Sequence, residues 1–347
     1  MRHPDKCCAE CRPESGLNRR DFLQASAAAV LAGSLAPTAS AKPGEKSETL
    51  TKTLYDSLDD KQKKVVCFDW DFKDRRGLLR THISNNWRIT PPAIKSDFFT
   101  KDQQALIRQI WEGIVNPDWI ERFDRQFKDD MGGFAVRQSI ALFGTPGTGK
   151  FEFVLSGRHG TVRCDGDSQE HVAFGGPIVY GHAASGYYEK PAHPDNVFWH
   201  QALAANDLFK MLDGKQRDQA LLPEAPDEAE IGFRSKIDGI PIAELSKDQQ
   251  KLAQEVLLKL IEPFRQSDRA EALAALKKQG GLEKCHLIFY KADDLGEDKI
   301  WDNWRLEGPA FVWHYRGAPH VHVWVNVADD ASVDLNAKNL SGPLRQK

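Results

Sequence analysis

The sequence of 347 residues has no apolar run approaching 18 residues. That length excludes a helix that spans a bilayer, so stable membrane insertion is not expected. There is no basic excess either: 47 Lys and Arg stand against 50 Asp and Glu, a net charge of −3. Little positive charge is left to neutralise a phosphate backbone, so nucleic acid is not an expected partner. The chain has no Gly-x-Ser-x-Gly elbow, no His-Glu-x-x-His helix and no dinucleotide fingerprint. The common serine hydrolases, zinc proteases and nicotinamide enzymes are therefore set aside. Cysteine is sparse, with six in all, and Cys7, Cys8 and Cys11 crowd the amino terminus. Cys67, Cys164 and Cys285 are odd in number and widely spaced, which is not a disulfide framework, although one bridge stays open to them. What remains, 41% hydrophobic and 28% charged residues, is the composition of a globular protein.

The amino terminus reads as an address. Asn18-Arg19-Arg20-Asp21-Phe22-Leu23 leads into an alanine-rich apolar stretch ending near Ala36, and Ala39-Ser40-Ala41 offers a small-x-small cleavage site. Paired arginines, a mildly apolar run and a cleavage site in that order predict a twin-arginine export signal over residues 1–41. No Cys follows the apolar run, so a bacterial lipid anchor is not expected. Cleavage before Lys42 would leave 306 residues and discard the Cys7 to Cys11 cluster. The expected partner is the twin-arginine export machinery, and the expected location periplasmic or secreted. That route carries folded proteins, often with a cofactor already bound.

The remainder looks duplicated. Leu54 to Gln62 resembles Leu208 to Gln216, and Thr100-Lys101-Asp102-Gln103-Gln104 resembles Ser246-Lys247-Asp248-Gln249-Gln250. Thr100 and Ser246 occupy N-cap positions, each with an acidic residue in the following turn. In each half the helical period then gives way to alternation. Strands are predicted over 136–144, 151–156, 161–164 and 172–180, and over 284–291, 302–307, 310–316 and 320–327. Long loops are predicted over 183–200 and 222–240. The expected fold is α+β, with two related helix-then-antiparallel-sheet halves, residues 42–200 and 201–347, packed as one body.

Gly144-Thr145-Pro146-Gly147-Thr148-Gly149-Lys150 imitates a phosphate-binding loop. Such a loop needs Ser or Thr after the lysine and a helix behind it. Here Phe151 follows, and Phe151 to Leu155 alternates as a strand. The segment is predicted to be a Gly/Pro-rich turn between strands that does not bind ATP.

Histidine offers the chemistry. His320 and His322 are one residue apart on a predicted strand, which puts both imidazoles on one face about 7 Å apart at the backbone. Imidazole is largely neutral near pH 7, so its nitrogens are available to zinc, copper or iron. His159, with glycine on both sides of its turn at Gly157 and Gly160, and His182, after Gly181, are the candidates from the first half. His159, His182, His320 and His322 form the expected metal site. His314, on the preceding strand, is a weaker candidate because its face depends on the turn after it. Glu152, Glu307 and Arg158 lie near in sequence as a candidate base, hydrogen-bond acceptor and anion clamp.

The chain resembles the bacterial domain-of-unknown-function family numbered 3500, over about residues 50–330. The resemblance rests on the Leu-Asp-x-x-Gln helices, Phe143-Gly144-Thr145-Pro146, the Gly157 to His159 turn, Gly308-Pro309, and His320-Val321-His322 with Trp324. Where that pattern has two adjacent histidines in the turn, this chain has Arg158 first; Pro319 and Val325 also depart from it. The resemblance implies an exported bacterial protein with buried histidines and no established reaction. Two functions follow from the residues. One is an exported metal-binding protein, a metal-dependent hydrolase or oxidoreductase if a coordination position stays open. The other is a non-catalytic protein binding a small molecule or sugar in a pocket lined by Trp301, Trp304, Trp313 and Trp324.

Overall fold

Capping boxes open four of the helices among the described residues. The computed structural model describes residues 46–183, 196–296, 298, 300–333 and 335; the expected export segment, 1–41 with Arg19 and Arg20, lies outside them. Helix α1 (Ser47–Ser57) and helix α2 (Asp60–Val66) lead into strand β1 (Cys67–Phe68) and a small hairpin of β2 (Lys73–Asp74) and β3 (Gly77–Leu78). Helices α3 (Lys101–Glu112) and α4 (Ile120–Met131) precede β4 (Ser139–Gly144), β5 (Phe151–Gly157), β6 (Gly160–Cys164) and β7 (Ile178–His182). Helices α5 (Trp199–Met211) and α6 (Gly214–Ala220) follow, then β8 (Leu221–Leu222) and β9 (Ile240–Pro241). Helices α7 (Lys247–Ile261) and α8 (Gln266–Lys278) precede β10 (His286–Tyr290), β11 (Asn303–Gly308), β12 (Phe311–Arg316) and β13 (Val321–Val327). Asp59 and Asp213 cap α2 and α6, and Thr100 and Ser246 cap α3 and α7. Each accepts from the backbone N–H of a glutamine three residues on, whose side chain reaches back to the cap.

All the described strands but the β2–β3 hairpin form one large sheet in the order β1-β4-β5-β6-β7-β13-β12-β11-β10-β8, with β9 on the flank of β10. β1 runs parallel to β4 and β8 parallel to β10, while the ladders from β4 to β7 and from β10 to β13 are antiparallel. β7 and β13 pair antiparallel in the middle of the sheet. The fold is α+β as expected. Alternation divides the side chains. Tyr180, Val323 and Val325 face the main core with the helices. Val179, Val312 and Trp324 face the other way, onto Ile83, Ala229 and Ile231. Two segments between elements, around residues 79–90 and 223–239, therefore cover the sheet where no helix does.

Most expected strands are observed within a residue or two of their predicted ends, the 320–327 strand from Val321 among them, but the predicted 136–144 strand begins at Ser139 and the 172–180 strand only at Ile178. Ala173–Gly175 form a single 3-10 turn instead, with Phe174 in the left-handed region. The Gly144 to Lys150 segment is a hairpin connection. Gly144 pairs with Phe151, Lys150 O accepts from the Thr145 N–H, and β5 follows where a phosphate loop needs a helix. A Cβ on Gly144, at φ +67°, would stand 2.0 Å from the Lys150 carbonyl oxygen, so the turn requires glycine.

Candidate metal centre

Three imidazoles meet at one end of the central strands. The β5–β6 hairpin closes with two residues, Arg158 and His159, between the paired glycines Gly157 and Gly160. His159 adopts φ +52°, a left-handed conformation unusual for a residue with a side chain. Its N–H donates to the Asn85 carbonyl, 2.7 Å away, which ties the turn to the covering segment. The next strand, β7, places Tyr180 beside Gly160, and β13 places Val323 beside Tyr180. One step further along that row, Gly181 is opposite His322. Glycine contributes no side chain between the hairpin turn and β13, and a Cβ there would sit 2.2 Å from the Val321 carbonyl oxygen.

His159, His320 and His322 each offer one ring nitrogen, and these lie within 4.8 Å of one another. The Nε2 atoms of His320 and His322 are 2.9 Å apart, and the His159 ring centroid is 5.0 Å from that of His320 and 4.9 Å from that of His322. Zinc–imidazole bonds of about 2.0–2.1 Å in tetrahedral geometry separate ligand nitrogens by roughly 3.3 Å, so the three rings need only small adjustments to share one ion. His320 is not on the strand, as alternation predicts; it lies in the bend before β13, which begins at Val321.

Carboxylates orient two of the rings. Asp130 Oδ2 accepts from His159 Nδ1 at 2.8 Å, which directs His159 Nε2 towards its neighbours. The other Asp130 oxygen accepts from the Ala183 N–H at 2.9 Å. Glu228 lies 3.0 and 3.1 Å from His322 Nδ1, with Arg316 paired to the same carboxylate at 2.8 Å and Asn85 Nδ2 3.3 Å away. Arg316 Nη2, 2.5 Å away, and Asn85 Nδ2, 3.2 Å away, meet the same His322 Nδ1, so two donors and the Glu228 carboxylate share it, while His322 Nε2 faces His320. Burial, then the nearness of His322, His159, Arg316 and Arg158, holds His320 down to about 3. His322 lies well below its ordinary value, first from burial and then from Arg316. Both rings are therefore neutral at neutral pH, the form that binds a metal. Burial raises the Asp130 carboxyl, but the His159 hydrogen bond and charge outweigh it and leave Asp130 below the ordinary range.

His182 does not join the three. It is opposite Val321, so its side chain leaves the sheet on the face opposite that of His322. His314 shares the face of His322, but it stands opposite Trp324, while Arg316 takes the place opposite His322. His314 Nδ1 instead accepts from Arg305 Nε at 2.9 Å. Glu152 and Glu307 are buried on arginines: Glu152 on Arg163 at 2.8 Å and Arg80 at 3.4 Å, and Glu307 on Arg234 and Arg305. Neither is a base beside the imidazoles. Trp304, Trp313 and Trp324 are buried. Trp304 stacks on Tyr315, and Trp313 donates to Tyr180 Oη at 3.0 Å. Sequence reasoning missed Asp130, Glu228, Asn85 and Arg316. Asp130 had a signal: it falls seven residues after Phe123 on the buried stripe of α4, where a carboxylate needs a partner.

No curated protein and no solved structure matches the chain. Over residues 40–327 it matches the family described as Protein of unknown function (DUF3500), and it belongs to that family.

Proposed function

We propose that this is an exported protein that holds one transition metal ion, zinc, copper or iron, on His159, His320 and His322. The observation that carries the reading is the convergence of three ring nitrogens within 4.8 Å, two of them backed by Asp130 and Glu228. Three nitrogen donors leave a coordination position open, the arrangement of a catalytic rather than a closed structural site. A bound ion there would supply Lewis acidity towards a substrate or water oxygen, or a redox couple if it is copper or iron. The reading is thus a metal-dependent hydrolase or oxidoreductase. His182 remains outside the proposed ligand set. A binding protein without catalysis is the second reading, but three of its four tryptophans are spent on packing.

Two related halves fit the same reading. Residues 42–200 would supply His159, and residues 201–347 would supply His320 and His322. Four capping boxes in matching order support a duplication, as does a reciprocal exchange at the ends of α3 and α7. There the Asn116 N–H donates to the Pro263 carbonyl and the Arg265 N–H to the Ile114 carbonyl. A twin-arginine signal over residues 1–41 would deliver the folded, loaded protein to the periplasm or beyond. Replacing Arg19 and Arg20 with lysine is expected to leave uncleaved protein in the cytoplasm; normal export of that variant would end the twin-arginine reading.

Metal analysis of the protein purified from its exported fraction tests the site. One equivalent of ion is expected in the wild type and less than a tenth in a His320→Ala, His322→Ala variant that keeps its circular dichroism. Undiminished metal in that variant would refute the assignment.

A further inference from the structure

We propose that the ligand or substrate of the histidine site is an oxyanion, a carboxylate or phosphate group held by Arg158. This rests on the metal reading and names the chemistry that would sit beside the ion.

The argument begins with which charges near the imidazoles are already used. Asp130 is engaged by His159 and by the Ala183 N–H. Glu228 is engaged by Arg316, and Arg316 also donates to the His320 carbonyl at 3.2 Å. Both acids and the Arg316 guanidinium thus already have charged or polar partners. Arg158 is different. It shares the two-residue turn with His159, and its charge is felt at both His320 and His322. Yet its guanidinium has no hydrogen-bond or ion-pair partner among the described residues, and its Nε is shut away from solvent. Leaving a buried donor without an acceptor is costly, so its persistence points to an acceptor that arrives from outside. Guanidinium is a planar fork that matches carboxylate and phosphate oxygens two at a time.

A basic surface adjoins Arg158 through Asn86. Asn86, whose backbone bridges to Arg158, also lines a cleft of about 480 Å³ with Trp87, Arg88, Val136 and Arg137. Arg88 and Arg137 are exposed, form no ion pair among the described residues, and have no acidic neighbour in the lining. Overall the protein is slightly acidic, at −3. The two-arginine cleft, joined to Arg158 through the Asn86 bridge, is therefore a local cationic feature, and field lines in such a cleft concentrate an anion. A divalent ion on the three rings would make the centre more positive still, and an oxyanion held by Arg158 would balance that charge.

Isothermal calorimetry with inorganic phosphate and with acetate, on zinc-loaded and zinc-free protein, tests this. The wild type is expected to bind at least one of the two saturably; which one is tighter separates a phosphate from a carboxylate ligand. Arg158→Gln should weaken that binding tenfold or more while zinc content stays at one equivalent. Arg158→Lys should recover part of the loss. An Arg88→Gln, Arg137→Gln variant, altered only on the exposed cleft wall, should weaken it two- to fivefold and steepen with falling salt. Anion binding unchanged in Arg158→Gln, or no binding of either anion to the loaded wild type, overturns the proposal. If the protein takes up no zinc, the metal reading fails by itself. The anion proposal then stands or falls on whether zinc-free protein binds phosphate or acetate in an Arg158-dependent way.

Discussion

At the scale of single residues, the centre depends on side chains that hold other side chains. Asp130 fixes the orientation of His159 through Nδ1 and anchors the chain at Ala183 with its second oxygen. Removing such a partner characteristically lowers metal affinity by about 10–100-fold. Asp130→Asn can still accept one hydrogen bond but no longer favours an N–H at His159 Nδ1. We expect zinc affinity, measured by competition with a chromophoric chelator, to fall by that order with the stoichiometry unchanged. An affinity within twofold of wild type would mean that the carboxylate serves packing alone. His159, His320 and His322 were legible in the sequence because histidine spacing and flanking glycines are local patterns; His182, after Gly181, carried the same kind of signal but faces away from them. Asp130 was legible in principle, as an acid on the apolar stripe of a helix. Glu228 was not: it comes from the middle of a loop, and nothing in the local sequence says that this loop folds back across the sheet to His322.

At the scale of elements, helix α8 shows how packing overrides local preference. Asp268 stands in its first turn, where the helix dipole favours a carboxylate. Burial nevertheless raises Asp268 to about 6, against the pull of Arg265. One turn on, Glu271 is raised to about 8, by burial foremost and then by Asp165, Asp268 and Asp167, although its carboxylate accepts the Phe174 N–H at 3.1 Å. The sign follows from linkage. The unfolded chain releases the Glu271 proton near 4.5 and the folded chain near 8, so between those values the folded state binds more protons. The stability contributed by the protonated group is complete below about pH 4.5 and is lost as the pH rises through 8. Glu271→Gln keeps the acceptor for Phe174 and removes the titration. Its urea midpoint should gain on that of the wild type between pH 5 and pH 8, and parallel curves over that range would contradict the assignment. The helices and most strands were readable from capping pairs and from the change of period. The two-residue strands β1 and β8 were not, because two residues carry no periodicity and their existence depends on β4 and β10 being there to pair with.

At the scale of the whole molecule, the α+β class followed from the order of helical and alternating segments. The continuity of the sheet did not, since the β7–β13 ladder joins residues about 140 positions apart in sequence. That ladder gives the histidines their neighbourhood. It sets Gly181 between the His159 turn and His322, and so lets a hairpin from residues 42–200 meet the start of a strand from residues 201–347. The central claim, one ion shared across that junction, is tested most directly by anomalous diffraction at the zinc edge from crystals of zinc-loaded protein. The account predicts a single strong peak at about 2.0–2.1 Å from the Nε2 atoms of His159, His320 and His322 together. Full zinc occupancy elsewhere in the protein, with no peak between these three rings, would contradict it.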